Sequence, residues 1–497
     1  MLASRRPVLR RIARSLAARA LAAGALGAAR ASAPARAGLP AEGDCPTVTG
    51  GVVTDEQGRP RDAASVTLKE GMVLGIENLL VLRELLPTEI WSHRDVFFFE
   101  GMRMEVGPCH RRYVEPGFLK EATARFAKDV SLDARGNLSG YTAGVPFPPD
   151  AIDPEAEDAA QRFAWNLALR FAGGGHRGHF RVVDFSEREG DAQTYEGDAY
   201  FLPTRGRADL AATGYAVEGS GDTWWIAGGH FTKPFQVRHL AWRQFRPAKT
   251  WTSYEEPDDT FVYVPSMRKS RRASTAWVDG LYFPTYAAAG PEAGGSVAFG
   301  GDLGVSISPT AGRSAAASAH AYKGFEGMML RPNAYKWRLL GMQDVMAPIN
   351  GTSSGYPIDP NRNFGPAGLS VASDRWEVRR AAVIEGAIRR DDEGLRTVMF
   401  WVDAQTGVPL YRVSRAGRRR ILDVQIFVHR FSGDQPGYPE WPGGTPALVF
   451  EPVAEVSFDA LAGAGGWRRE SYDVVSLPFD RDDLPGLTSS AALERGR

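Results

Sequence analysis

The chain has 497 residues, 43% hydrophobic and 24% charged, with 59 basic and 59 acidic residues. This composition excludes disordered and fibrous classes and allows a large buried core. No basic excess points to nucleic acid, and no stretch reaches the roughly 18 uninterrupted apolar residues of a membrane-spanning helix.

Residues 1–37 hold eight arginines, no acidic residue and an Ala/Leu-rich middle over 15–29. This is the pattern of an export signal peptide, cleaved after Ala37 or alternatively after Ala33. Ser4-Arg5-Arg6-Pro7-Val8-Leu9-Arg10 is similar to the twin-arginine export motif, with the general secretory route as the alternative. Cleavage leaves 51 basic against 59 acidic residues, an acidic mature chain expected in the periplasm or at the outer-membrane periphery. Residues 38–66, rich in Gly, Pro and charge, read as a flexible N-terminal arm, and 67–497 as a single domain. Cys45 and Cys109 are the only cysteines. An oxidising compartment lets them pair, and two free thiols are the other reading.

Apolar residues at three- and four-residue spacing predict a helix over 70–86, stopped by Pro87, then a strand over 97–106. Residues 116–130 read as a second helix with Phe118, Leu119, Ala122 and Phe126 along one stripe. A third runs over 154–171, its stripe carried by Phe163, Leu167 and Phe171 and its stop by Gly173-Gly174-Gly175. Beyond it the period changes from 3.6 to 2, and most of the chain reads as antiparallel strands. In 261–272, Val262 and Val264 alternate with Phe261 and Tyr263, which predicts a strand covered on both faces. Pro265 ends it, and Arg268, Lys269, Arg271 and Arg272 make a basic rim. Residues 287–321 are a Gly/Ala/Ser run without periodicity. A four-strand meander follows: 376–390, 395–403, 408–414 and 421–431, joined by short turns such as Asp391-Asp392-Glu393-Gly394. In its first strand Trp376, Val378, Ala382, Ile384 and Ile388 share a core face, opposite a wet face of Glu377, Arg379, Glu385 and Arg389.

Gly351-Thr352-Ser353-Ser354-Gly355 matches the G-x-S-x-G pattern, but Tyr356-Pro357-Ile358-Asp359-Pro360 after it is turn chemistry, whereas a nucleophile elbow needs a helix. His176 and His179 have a spacing that could chelate a metal, yet no Cys or carboxylate is tied to them by sequence. Asp258-Asp259 and Asp391-Asp392 sit at hairpin tips, where acids serve turns. No phosphate loop or dinucleotide fingerprint occurs. The sequence therefore predicts no enzyme, no metal and no cofactor. Its remaining signal is aromatic: Trp224, Trp225, Trp242, Trp251, Trp337, Trp376, Trp401, Trp441 and Trp467 fall mostly in or beside strands. They either fill a sheet core or line an apolar cavity, where each buried methylene of a lipid contributes roughly 0.8 kcal/mol.

Six blocks in order are similar to an uncharacterised family of bacterial exported proteins, domain of unknown function 1329, related to the LolA and LolB outer-membrane lipoprotein-sorting carriers. They are Leu68-Lys69-Glu70-Gly71-Met72 with Asn78; Tyr141-Thr142-Ala143-Gly144-Val145-Pro146-Phe147-Pro148; Ala164-Trp165-Asn166; and 261–272. Tyr335-Lys336-Trp337-Arg338-Leu339-Leu340-Gly341 with Pro348-Ile349-Asn350 follows, then Arg375-Trp376-Glu377-Val378-Arg379-Arg380 with Val383-Ile384-Glu385. Two departures mark a divergent branch: Ile349 where the family has Tyr, and Ser266-Met267 where it has Gly-Gln. The resemblance implies a mainly β (α+β) fold, a large curved, half-open antiparallel sheet wrapped around a few helices, one face of which holds acyl chains. Asp403-Ala404-Gln405-Thr406-Gly407-Val408-Pro409 resembles a hairpin common in that fold. Relatives are associated with inner-membrane exporters of hydrophobic molecules and an outer-membrane protein, and no catalytic residues come with the family. On such a fold Trp251, Phe261, Tyr263, Trp337, Trp376 and Trp401 are the expected cavity lining, with Arg268, Lys269, Arg271 and Arg272 at its mouth. The expected activity is the binding or shuttling of a lipid or other hydrophobic molecule; the alternative is a structural envelope component with a filled core, and behind it stands a hydrolase using His176, His179 or scattered carboxylates.

Overall fold

The computed structural model describes residues 39–54, 60–186, 191–235, 238–265, 268–273, 286–288, 297–299, 330–352, 364–389, 397–415, 420–441, 444–459, 466–476, 478–479 and 481–494. The export segment, nearly all of the 287–321 run, the turn at 391–394 and the serines of the G-x-S-x-G match lie outside these residues.

The N-terminal arm contains an antiparallel hairpin of β1 (Thr47–Thr54) and β2 (Pro60–Thr67). It is pinned by a Cys45–Cys109 disulfide, Cα atoms 5.2 Å apart, and by Gly43 N donating to the Cys109 carbonyl at 2.8 Å. The helix expected over 70–86 is instead a two-residue strand β3 (Val73–Leu74) and a 3₁₀ turn over Ile76–Leu82. Gly75 N donates to Asn78 Oδ1 and tightens the backbone there, while Leu79, Val81 and Leu82 bury. Likewise 97–106 is not one strand. Helical turns at Thr88–Ser92 and Arg94–Phe97 precede a turn at Gly101, with φ +87°, and β4 starts only at Met104 (Met104–Cys109). Phe97 and Phe98 are thereby buried, Phe98 with its ring 6.1 Å from Trp376. The second helix forms as expected over Gly117–Phe126, followed by a short hairpin of β5 (Ser131–Leu132) and β6 (Leu138–Ser139).

A first meander contains β7 (His176–Ser186), β8 (Asp191–Pro203), β9 (Thr223–Lys233), β10 (Ala241–Pro247), β11 (Asp259–Val264) and β12 (Lys269–Ala273). A small pairing of β13 (Tyr286–Ala288) with β14 (Val297–Phe299) stands apart. The second meander contains β15 (Tyr335–Ala347), β16 (Arg375–Ile388), β17 (Thr397–Asp403), β18 (Pro409–Arg415), β19 (Ile421–Phe431), β20 (Phe450–Asp459) and β21 (Gly466–Val475). β21 pairs antiparallel with β7 and fuses the two meanders; among the described residues the sheet has 15 strands. It does not close. β12 ends it on one side, and on the other β15 pairs along β16 while β4 runs parallel to the first residues of β16. The mainly β, antiparallel-rich open sheet expected from the sequence is what forms.

β11 stops at Pro265, as its missing N–H requires, and the cations that follow occupy a turn and β12, the edge strand among the described residues. Charges on an edge strand block its pairing with another chain. Val262 is buried against the helix-facing core, whereas Phe261 and Tyr263 are half-buried on the opposite face. The C-terminal helical turns Leu484–Thr488 and Ser490–Glu494 lie there, held by Arg243, which donates to the Ser489 and Gly486 carbonyls at 2.6 and 2.8 Å.

Reduction removes a cross-link closing 64 residues, a chain-entropy effect of at most about 4 kcal/mol. Cys45→Ser/Cys109→Ser is expected to lower the melting temperature by the same amount as dithiothreitol lowers that of the wild type, and to leave the reductant without further effect. Calorimetry with and without reductant checks this.

Candidate ligand site

The third helix, Ala159–Ala168, is shorter than its sequence pattern and buried nearly all round, so it lies within the protein rather than on it. Asn166 clamps the loop of the Tyr141–Pro148 block: it accepts from Phe147 N at 3.1 Å and donates to the Phe147 carbonyl at 2.6 Å. Trp165 Nε1 donates to the Gly136 carbonyl at 3.0 Å. The helix shares one core with the sheet face carrying Phe180, Phe231, Trp242, Ile384 and Phe400. On this face glycine makes room for rings. A Cβ at Gly197 would stand 2.6 Å from Phe180, and one at Gly229 the same distance from Trp242. The three rings of Phe180, Phe231 and Trp242 contact one another at 5.5 to 6.2 Å.

Two cavities open where the helix ends. The first, of about 50 Å³, lies between Phe163, Asn166 and Phe171, the turn 403–407 and the rings of Phe431 and Phe450. The second, of about 40 Å³, is walled by Tyr141, Phe171, Phe201 and Trp224. Leu119, Leu169, Arg170 and Phe171 line both, so Arg170 stands between them. Gly173 and Gly175 pass close behind: their φ values are +61° and +103°, and a Cβ on either would come within 2.2 Å of Ser476 Oγ or the Phe201 carbonyl. A wider groove near the disulfide, about 750 Å³, mixes Glu42, Lys69, Glu70 and Arg111.

Buried charge frames the site. Tyr113 Oη donates to both oxygens of Glu377 at 2.7 and 2.8 Å, and Arg379 Nε donates to Asp403 Oδ2 at 2.8 Å. Glu377 and Arg379, expected on a wet face, are thus buried, because Tyr113 and the 403–407 turn cover them. Burial raises the Glu377 carboxyl against the opposing pull of Arg379. The Asp403 to Pro409 motif is explained locally: Asp403 accepts from Thr406 N and Oγ1, both at 2.8 Å, and Gly407 takes φ +72°. At the other end Asp258 accepts from Arg246 Nε at 2.9 Å, Arg331 Nη2 at 2.7 Å and Gln244 Nε2 at 2.9 Å. Burial pushes the Asp258 carboxyl up, and Arg246 with Arg331 more than offsets it, leaving it below the usual range.

His176 and His179, an odd separation apart on β7, face opposite sides of the sheet and cannot share an ion. His179 is exposed and shares Asp198 with His230. His176 is 3% exposed, neither ring nitrogen has a hydrogen-bond partner, and burial with nearby Arg170 pulls it down to about 3. His429, beside it, is lowered for the same reasons.

The residues expected to form the site are divided. Trp251 packs edge-on to Tyr141 at 5.3 Å and Trp224 at 5.7 Å, directly behind the second cavity. Trp337 belongs to the same core and donates to the Pro332 carbonyl at 2.7 Å. Trp376 and Trp401 are buried in the other core, their indole N–H groups bound to the Val371 carbonyl and Gln343. Phe261 and Tyr263 lie beneath the C-terminal turns. Arg268, Lys269 and Arg272 are exposed, Arg272 paired with Asp259, and line neither cavity; the side chain of Arg271 lies outside the described residues. Sequence reasoning missed Arg170, whose signal was a cation between apolar Leu169 and Phe171 just before the glycine stop.

Residues 97–287 match the model of a family described as Protein of unknown function (DUF1329), so over this stretch the family resemblance read from the sequence holds. The chain is similar to a DUF1329 family protein from Desulfovibrio piger, at 11% identity and TM-score 0.37, over 69% of this chain and 99% of that one. It is also similar to a LolA superfamily protein from Nitrosomonas europaea, at 12% identity and TM-score 0.32, over 67% of this chain and 98% of that one. No curated protein matches the chain.

Because the folded His176 titrates below its ordinary value near 6.5, folding loses stability as pH falls below that value. The loss at pH 5 is about 2 kcal/mol from this residue. His176→Leu is expected to flatten the decline between pH 7 and 5 in urea melts; an unchanged slope contradicts it. Asp258→Ala leaves Arg246 and Arg331 buried without their carboxylate, an expected loss of about 3 to 5 kcal/mol, measured by the same melts at pH 7.

Proposed function

We propose that the protein is a non-enzymatic carrier of the cell envelope: it binds a lipid or other hydrophobic molecule and passes it between an inner-membrane exporter and the outer membrane. The observation that carries this reading is the pair of aromatic-walled cavities on the helix-facing side of a sheet that does not close. The family resemblance and the Arg-rich N-terminal segment support export of the chain. A lipid needs more room than these two cavities offer, since about 50 and 40 Å³ hold about three or four waters each. Loading therefore requires the stretch 169–173 to move, and the glycines after it are where the backbone can turn.

The small volumes also favour a second reading, an envelope scaffold whose core is filled by its own side chains. Native purification followed by organic extraction and mass spectrometry separates the two. A carrier yields a lipid at near-stoichiometric amount, lost in Leu169→Lys, which puts a charge where both cavities meet. A scaffold yields none from either protein.

A further inference from the structure

We infer that the corner of the sheet formed by the β9–β10 and β11–β12 turns docks on an anionic membrane surface, with Phe235 entering the headgroup layer and Arg238, Arg268 and Lys269 meeting lipid phosphates. This goes beyond the carrier reading and does not rest on it. The register sets the two turns side by side: Ala241 pairs with both His230 and Tyr263, and Val264 pairs with Lys269, so β9 and β11 run to the same end of the sheet and turn back there. Phe235 is 85% exposed in the first turn, the most exposed large apolar side chain among the described residues. Arg238 and His239 in the same turn, and Arg268 and Lys269 at the second, are exposed too. Neither turn contains an acid: 234–240 reads Pro-Phe-Gln-Val-Arg-His-Leu and 265–269 Pro-Ser-Met-Arg-Lys. Acids on the adjoining strands are engaged elsewhere, Glu196 by Lys233 at 2.8 Å, Asp198 by His179 and His230, and Asp259 by Arg272. Arg238, Arg268 and Lys269 take part in no ion pair among the described residues. In sequence the β7–β8 turn carries Glu187, Glu189 and Asp191, which limits the cationic surface to this one corner of an acidic exported chain.

Two features separate this corner from a pair of merely solvated turns. Arg268 and His239 hold φ values of +48° and +71°, backbone that Gly or Asn adopts more readily, so turn chemistry alone favours other residues at both places. Charge on the β12 edge accounts for Lys269, since it blocks strand pairing, but not for Arg238, which lies between two paired strands, and not for Phe235. A protruding ring flanked by cations suits the boundary between phosphates and acyl chains: the cations meet the negative surface, and the ring enters the layer beneath it. A flat bilayer also fits the shape, because neither turn lines any of the three cavities and the ring stands outward rather than beside a groove.

The test is flotation of the full exported chain with phosphatidylethanolamine–phosphatidylglycerol vesicles and with phosphatidylcholine vesicles, each at low and high salt. The wild type is expected to float with the anionic vesicles at low salt and to be released from them at high salt. Phe235→Ser should weaken that binding about tenfold, and Arg238→Gln or Lys269→Gln about fivefold each. Leu80→Ser, at an exposed position of the 3₁₀ turn, should change nothing. A nitrobenzoxadiazole dye on the Phe235→Cys variant should shift to the blue on the anionic vesicles and stay unshifted on phosphatidylcholine. The wild type staying unbound, or binding both kinds of vesicle equally, overturns the inference without any variant having to fold, and leaves the carrier reading intact. Binding that survives Phe235→Ser unchanged, with the dye unshifted, is adsorption by charge alone and overturns the insertion of the ring.

Discussion

The pairing of β21 with β7 is the contact on which the rest of the molecule depends. It runs from Val475 opposite Arg177 to Gly466 opposite Ser186 and joins strands nearly 300 residues apart in the chain. Without it the two meanders are separate sheets with two more free edges; with it they share one core on the buried helix. The approach is so close that a Cβ at Gly178 would lie 2.0 Å from the Asp473 carbonyl, so the register tolerates no side chain there. The same pairing brings the glycine stop, Ser476 and His176 to one spot, and the two cavities open beside it. Contacts this distant in sequence form late, after a large loop-closure entropy.

Buried ion pairs then fix what apolar packing leaves loose. Arg246, Asp258 and Arg331 bind the end of β10, the start of β11 and the point where the chain returns after the Gly/Ala/Ser run. Arg379 and Asp403 do the same across β16 and β17, with Tyr113 stacked over Arg379 at 5.1 Å. Such pairs stabilise little relative to apolar substitutes, but each is satisfied in one arrangement, so they select the register. The cavities are held between these two clasps.

Much of the sheet was legible because period-2 alternation is a local signal: the strand read at 421–431 is the strand found, and Pro265 ends β11 where its missing N–H demands. The 70–86 segment misled because leucines three and four residues apart also suit a short 3₁₀ turn, in which Leu79, Val81 and Leu82 bury. Glu377 and Arg379 could not be read as buried, since what covers them is Tyr113, more than 260 residues away in sequence. Of the expected site residues, Trp251 reaches the cavities through Tyr141 and Trp224, whereas Trp376 and Trp401 sit in the other core. A tryptophan on a strand announces burial but not which face of the sheet receives it.

The most direct measurement of the central claim is an experimental structure of the protein purified natively from its host envelope. The account predicts continuous density through both cavities and the 169–173 stretch displaced to admit the ligand. Cavities holding only ordered water, with Arg170 and the stretch around it unmoved in protein shown by mass spectrometry to carry lipid, would contradict it.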